Sequence, residues 1–124
     1  MDKICVIGAG SWGTAVACTL TRNGHETVLY MRRKEQYEDM KRTGKNLRYF
    51  PELELPKSLK FSNDLKTALD GVTIVILAVS SQGNLNAIKE LKELLPSDVI
   101  VVNISKGLDR EQGLRCSQMM EEFL

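Results

Sequence analysis

The hexapeptide Gly8-Ala9-Gly10-Ser11-Trp12-Gly13 constrains this chain more than any other stretch of it. It matches G-x-G-x-x-G, a spacing that glycine-rich segments also meet by chance, so its surroundings decide its meaning. Lys3 to Ile7 is a short apolar run stopped by Gly8, the pattern of a buried strand. Ser11 is then placed to cap a helix in which Trp12, Ala15, Val16, Thr19 and Leu20 recur at helical spacing, and Gly24 closes it. Glu26 to Met31 reads as a second strand. In a strand–turn–helix–strand unit, Gly8 permits the tight turn, Gly10 leaves room for a pyrophosphate, and Gly13 lets the helix approach the strand. The helix start offers free N–H groups and the positive end of its dipole to phosphates. The alternative is a glycine-rich turn with no ligand.

The rest of the chain repeats the alternation. Lys34 to Arg42 predicts a polar helix closed by Gly44, and Gly44 to Pro56, with two prolines and no period, a loop. Phe61 falls in a short strand. Asn63 or Asp64 opens a brief helix ending at Gly71. Val72 to Val79 is the strongest strand, followed by a loop over Ser80, Ser81, Gln82 and Gly83. Asn84 to Leu95 is helical, with Leu85, Ile88, Leu91 and Leu95 on one face. Asp98 to Ile104 is another apolar strand, Ser105-Lys106-Gly107 a turn, and Leu114 to Leu124 the start of a helix. Strands apolar on both faces and alternating with helices require a parallel sheet covered on both sides by right-handed crossovers. The expected fold is therefore a Rossmann-type doubly wound α/β sheet, and 124 residues suit one domain. Ligands of such sheets bind beyond the carboxyl ends of the strands.

Composition excludes several classes. Seventeen basic and sixteen acidic residues leave a net charge of +1, so no global field draws in nucleic acid or a membrane surface. Anion binding must come from local arrangement. Cys5, Cys18 and Cys116 form no C-x-x-C pair, and no second ligand lies at metal-binding spacing. No metal is expected, and the cysteine usage suits a reducing, cytoplasmic setting. The apolar run from Val72 to Val79 is too short to span a bilayer, and the N-terminus lacks the form of a signal peptide. His25 reads as a surface residue with no role.

The residues after the strands indicate which ligand. An NAD site usually carries an acid at the end of the second strand to bond the ribose hydroxyls. This chain has Tyr30-Met31-Arg32-Arg33 there, and Glu35 falls in the next helix. Two guanidinium groups can clamp a 2′-phosphate, which favours NADP(H) over NAD(H), the alternative being a solvated basic pair. Lys106 follows the last strand on a turn freed by Gly107, a mobile charge suited to phosphate, unless it is an ordinary surface lysine.

Four segments together resemble a known family. They are Ile7 to Ala15, Arg32-Arg33, Asn46-Leu47-Arg48-Tyr49-Phe50-Pro51 with Leu55-Pro56 and Asn63-Asp64-Leu65, and Ile104-Ser105-Lys106-Gly107-Leu108. The pattern is similar to the N-terminal domain of bacterial NAD(P)-dependent glycerol-3-phosphate dehydrogenase. The resemblance implies that Ser11 and Trp12 contact the cofactor, Arg32 and Arg33 its adenosine phosphate end, and Tyr49 another part of it. By the same resemblance, Lys106 reaches both the nicotinamide side and a phosphate-bearing substrate. Read from the residues alone, Tyr49 could equally be a core aromatic and Trp12 a cover for the helix start. The implied reaction interconverts dihydroxyacetone phosphate and sn-glycerol 3-phosphate and feeds phospholipid synthesis. Family members are longer, with a helical second domain that carries a lysine as proton acceptor. This chain is thus expected to be a cofactor half truncated before that domain, with the general base beyond Leu124 and no activity alone. A homodimer of the complete protein is left open. The rival readings are a non-catalytic NADP(H)-binding module and a reductase of another small hydroxy substrate.

Overall fold

The computed structural model describes residues 3–79, 89–95 and 97–104. In chain order the elements are β1 (Lys3–Ile7), α1 (Ser11–Arg22), β2 (Glu26–Tyr30), α2 (Lys34–Thr43), β3 (Lys60–Ser62), α3 (Leu65–Ala68), β4 (Ile74–Leu77) and β5 (Ile100–Asn103). Residues 89–94 are also helical. The strands form one parallel sheet in the order β3-β2-β1-β4-β5. The chain builds outward from β1 in one direction, then returns to build outward in the other. That reversal opens a crevice between β1 and β4, where doubly wound sheets take their ligands.

The two-residue period of the strands sorts the core into two layers. Cys5, Ile7, Val28, Val75 and Leu77 point to the side of α3, packing with Leu65, Ala68 and Leu91. Ile4, Val6, Leu29 and Ile76 point to the side of α1 and α2, packing with Ala17, Cys18 and Met40. Gly24 (φ +90°) ends α1 in a Schellman arrangement, as the sequence predicts. Its N–H donates to the Thr21 carbonyl at 3.0 Å, and the His25 N–H donates to the Leu20 carbonyl at 3.1 Å. Gly44 (φ +70°) closes α2 in the left-handed conformation.

The structure corrects several expectations. Ser11 does not cap α1. Gly10 holds that position in extended conformation, and its carbonyl accepts the Thr14 N–H at 3.1 Å, which makes Ser11 the first helical residue. Of the two residues expected at the start of α3, Asp64 holds the cap position, and its Oδ2 accepts the Thr67 hydroxyl at 2.7 Å, which bears out that part of the reading. β4 is shorter than its apolar run because its pairing with β1 extends only over Ile4–Ile7. Among the described residues, β5 is covered on one face only. Val99 and Val101 pack against the α3-side core, whereas Ile100 is 61% and Val102 41% exposed. His25 is half-buried rather than a surface residue, and its Nδ1 has no hydrogen-bond partner among the described residues. The loop at 80–83, the first part of the 84–95 helix, the Ser105-Lys106-Gly107 turn, the helix from Leu114 and Cys116 lie outside the described residues. Among those described, no helix is long and apolar enough to cross a membrane, and no three His, Cys, Asp or Glu side chains gather as metal ligands.

Candidate functional site

A cleft of about 300 Å³ opens at the carboxyl ends of β1, β2 and β4. The glycine turn (Gly8, Ala9, Gly10) forms its floor, Met31, Arg32 and Arg33 one wall, and Ala78 and Val79 the other; Tyr49, Gln36 and Glu90 also reach it.

The three glycines of the turn are there for different reasons. Gly8 has φ +114°, and a Cβ on it would stand 2.5 Å from the Ala78 carbonyl oxygen. A Cβ on Gly13 would collide with the Gly8 carbonyl oxygen and press on the Ala78 side chain. Both positions are closed to any side chain by the fold itself. A Cβ on Gly10 would meet nothing within 4 Å. The fold leaves that space empty directly over the start of α1, where a close-lying ligand would need it.

Among the described residues no side chain claims the start of α1. It has no side-chain cap and no acid in its first turn. The first N–H groups of a helix have no intrahelical acceptor. Those of Ser11, Trp12 and Gly13 are left for an anion in front of Gly10, with the helix dipole in their favour. Ser11 is exposed and Trp12 is 57% exposed, so Trp12 does not serve as an apolar cover.

Arg32 and Arg33 stand exposed at the end of β2, with no acid between that strand and α2. Glu35 lies in the first turn of α2, as expected. Arg32 Nη2 pairs with Glu90 Oε1 at 3.3 Å, across the cleft from the helix after β4. Burial, and after it the Glu90 carboxylate, push the Tyr30 phenol above its ordinary range, so it stays neutral beneath this wall. Tyr49 is 42% exposed and lines the cleft, which sets aside the reading as a core aromatic. The Arg48 guanidinium lies 5.6 Å from the centre of its ring. Thus the structure brings Gly8, Gly10, Arg32, Arg33 and Tyr49 to one cleft, with Ser11, Trp12 and Gly13 on the helix that starts at its edge. Lys106 lies outside the described residues.

Two cleft residues, Glu90 and Gln36, and Asn46 behind the glycine turn were given no role by the sequence. Glu90 carries no local signal linking it to Arg32, since only the fold brings them together. Gln36 and Asn46 both bond the glycine turn: Gln36 Nε2 and Asn46 Nδ2 each donate to the Ala9 carbonyl at 2.9 Å. A usable signal existed for Gln36, which lies four residues before the buried Met40 and so shares its inward face of α2.

Comparison with known proteins gives the family and the fold. The sequence profile of the NAD-dependent glycerol-3-phosphate dehydrogenase N-terminus matches residues 3–124. A glycerol-3-phosphate dehydrogenase (NAD(P)+) of Thermoanaerobacter sp. is 38% identical over 122 residues, covering 98% of this chain and 37% of that protein. The Bacillus pumilus protein of the same name is 39% identical, covering 98% of this chain and 35% of its own length. The crystal structure of glycerol-3-phosphate dehydrogenase from Coxiella burnetii superposes with a TM-score of 0.92 at 32% identity, over 99% of this chain and 38% of that one. A ketopantoate reductase of Ralstonia eutropha, at 22% identity and a TM-score of 0.76, shares the fold alone. The chain therefore spans little more than a third of the relatives it matches.

Proposed function

This chain belongs to the NAD-dependent glycerol-3-phosphate dehydrogenase N-terminal family, and from that premise we propose that it is the cofactor-binding half of an oxidoreductase interconverting dihydroxyacetone phosphate and sn-glycerol 3-phosphate. The observation that carries the reading is the open space over Gly10 in front of an uncapped helix start, at the sheet's switch point. The cleft fits a nicotinamide dinucleotide. The N–H groups of Gly10, Ser11, Trp12 and Gly13 would hold the pyrophosphate, Arg32 and Arg33 the adenosine end, and Tyr49 would bound the mouth. The bound nicotinamide supplies hydride chemistry, and the chain's own part is to bind, orient and neutralise charge. Arg32 and Arg33, with no acid beside them on their own strand end, support NADP(H) over NAD(H). Lys106 is assigned to the substrate phosphate and the nicotinamide side on sequence grounds. Proton transfer is assigned to the part of the relatives that this chain does not span.

The product suits phospholipid synthesis, and the free, buried thiols of Cys5 and Cys18 suit a reducing cytoplasm. A reductase of another hydroxy substrate is disfavoured, because the ketopantoate reductase resembles this chain in fold only. Trp12 is the single tryptophan and stands at the helix start, so its fluorescence reports the site. Titration with NADPH should quench it saturably, and the absence of saturation in folded protein would overturn the reading. A complete protein that binds NADPH yet never oxidises it with dihydroxyacetone phosphate would point instead to a non-catalytic binding module.

A further inference from the structure

Asn46 is fully buried, although it sits in a polar loop without regular structure. Burying an amide is unfavourable unless its donors and acceptors are matched. Asn46 meets that condition by joining the glycine turn at the floor of the cleft to the loop that presents Tyr49. Its Nδ2 donates to the Ala9 carbonyl at 2.9 Å and to the Thr14 hydroxyl at 2.8 Å. Its backbone carbonyl accepts the Phe50 N–H at 2.7 Å and the Tyr49 N–H at 3.2 Å, which folds the turn that presents Tyr49. Gln36, half-buried on α2, adds a second donor to Ala9 at 2.9 Å and reaches Asn46 Oδ1 at 3.5 Å.

The Ala9–Gly10 peptide is trans, as are all the described peptides. In a trans peptide the C=O and N–H point in opposite directions. Two side-chain amides holding the Ala9 carbonyl toward α2 and the 44–56 loop therefore fix the Gly10 N–H pointing away from them. Donation to the carbonyl also polarises the peptide and strengthens its N–H as a donor. We propose that Asn46 and Gln36 are positioning residues that clamp the Ala9–Gly10 peptide so that its N–H is held ready for the cofactor's pyrophosphate. This rests on the nucleotide reading of the cleft and adds to it the residues that preorganise the phosphate turn.

The test compares wild-type protein with Gln36→Met and Asn46→Asp at a temperature well below each melting midpoint. Gln36→Met keeps length and helix preference but removes the donor; Asn46→Asp keeps shape but turns an acceptor toward Ala9. Two ligands are titrated: NADPH, and 2′-AMP, which has no pyrophosphate. Loss of one such bond is expected to weaken NADPH binding about threefold to tenfold, more for Asn46→Asp, with 2′-AMP unchanged. Should Asn46→Asp fail to fold, Gln36→Met alone decides. Unchanged NADPH affinity in folded Gln36→Met overturns the inference while leaving the nucleotide reading intact. Equal weakening of both ligands overturns it too, since the brace then serves only general structure. Folded wild-type protein that binds neither ligand overturns the nucleotide reading, and the inference with it.

Discussion

Arg32 Nη2 sits 3.3 Å from Glu90 Oε1, so one of the two guanidinium groups at the end of β2 already has an anionic partner. A 2′-phosphate must compete with Glu90 for Arg32 or bind beside its carboxylate. Charge-assisted bonds to phosphate are expected to favour NADPH by about tenfold or more over NADH. Arg32→Ala is expected to erase most of that preference. Glu90→Gln is expected to raise it about twofold to fivefold, the scale of an exposed ion pair. In an Arg32→Ala background Glu90→Gln should do little. Paired titrations with NADPH and NADH at one fixed ionic strength measure all three, and a preference untouched by Arg32→Ala would remove Arg32 from the site.

The three glycines should separate in mutagenesis. Gly10→Val is expected to abolish NADPH binding in a chain with an unchanged circular dichroism spectrum and a near-native melting point. Gly13→Ala has no such latitude, because its Cβ would meet the Gly8 carbonyl. Overpacking of this kind destabilises by about 1–3 kcal/mol or more. Gly8→Ala adds a strained φ of +114° to a backbone clash and should be as damaging. Calorimetric titration beside thermal melts tests the set; retained binding by Gly10→Val would make the turn a purely structural one.

Burial pushes the Cys5 thiol up from 9.0 to about 12, with the Lys3 ammonium opposing only in part. An acid whose folded value is raised contributes stability that is complete below its unfolded value. Here that contribution is lost as pH rises from 9.0 toward about 12. Near pH 10 the loss is on the order of 1 kcal/mol. Cys5→Val, which cannot ionise, should flatten the fall in melting temperature across that window. Equal slopes in the two proteins would show that Cys5 does not set the alkaline limit. In the folded state the thiol should also resist alkylation at neutral pH.

Much of the fold was legible because its signals are local. Gly8, Gly24 and Gly44 mark the ends of β1, α1 and α2, and all three adopt positive φ. The apolar runs of β1, β2 and β4 announce their own burial. What was not legible depends on neighbours. Ser11 looks like a cap by residue type, but the turn that follows β1 places the cap one residue earlier. Ile100 and Val102 look buried by composition, yet β5, the last strand among the described residues, has core on the side of Val101 and exposed side chains at Ile100 and Val102. In the cleft, residues adjacent in sequence to the glycine turn or to β2 could be named. Gln36, Asn46 and Glu90 could not, since they are 27, 37 and 58 positions away from the residues they touch.

Catalysis should need more than this chain. These 124 residues alone are expected to give no measurable oxidation of NADPH with dihydroxyacetone phosphate. A positioned proton-transfer group is worth about a hundredfold to ten-thousandfold, and orienting the substrate about 7–11 kcal/mol. In a protein of the relatives' full length, Lys106→Ala should cripple turnover while changing cofactor affinity much less. Robust substrate-dependent oxidation by the purified chain would show that the residues described are not only a cofactor half.

The empty space over Gly10 has a consequence for descent. Gly8 and Gly13 are held by folding, so selection for a stable chain alone would keep them. Among the described residues nothing holds Gly10, because a Cβ there touches no atom within 4 Å. A lineage that lost its nucleotide would retain the first and last glycines of the turn and let the middle one drift. Among related chains, a side chain at this position would therefore mark those that kept the architecture after giving up the ligand.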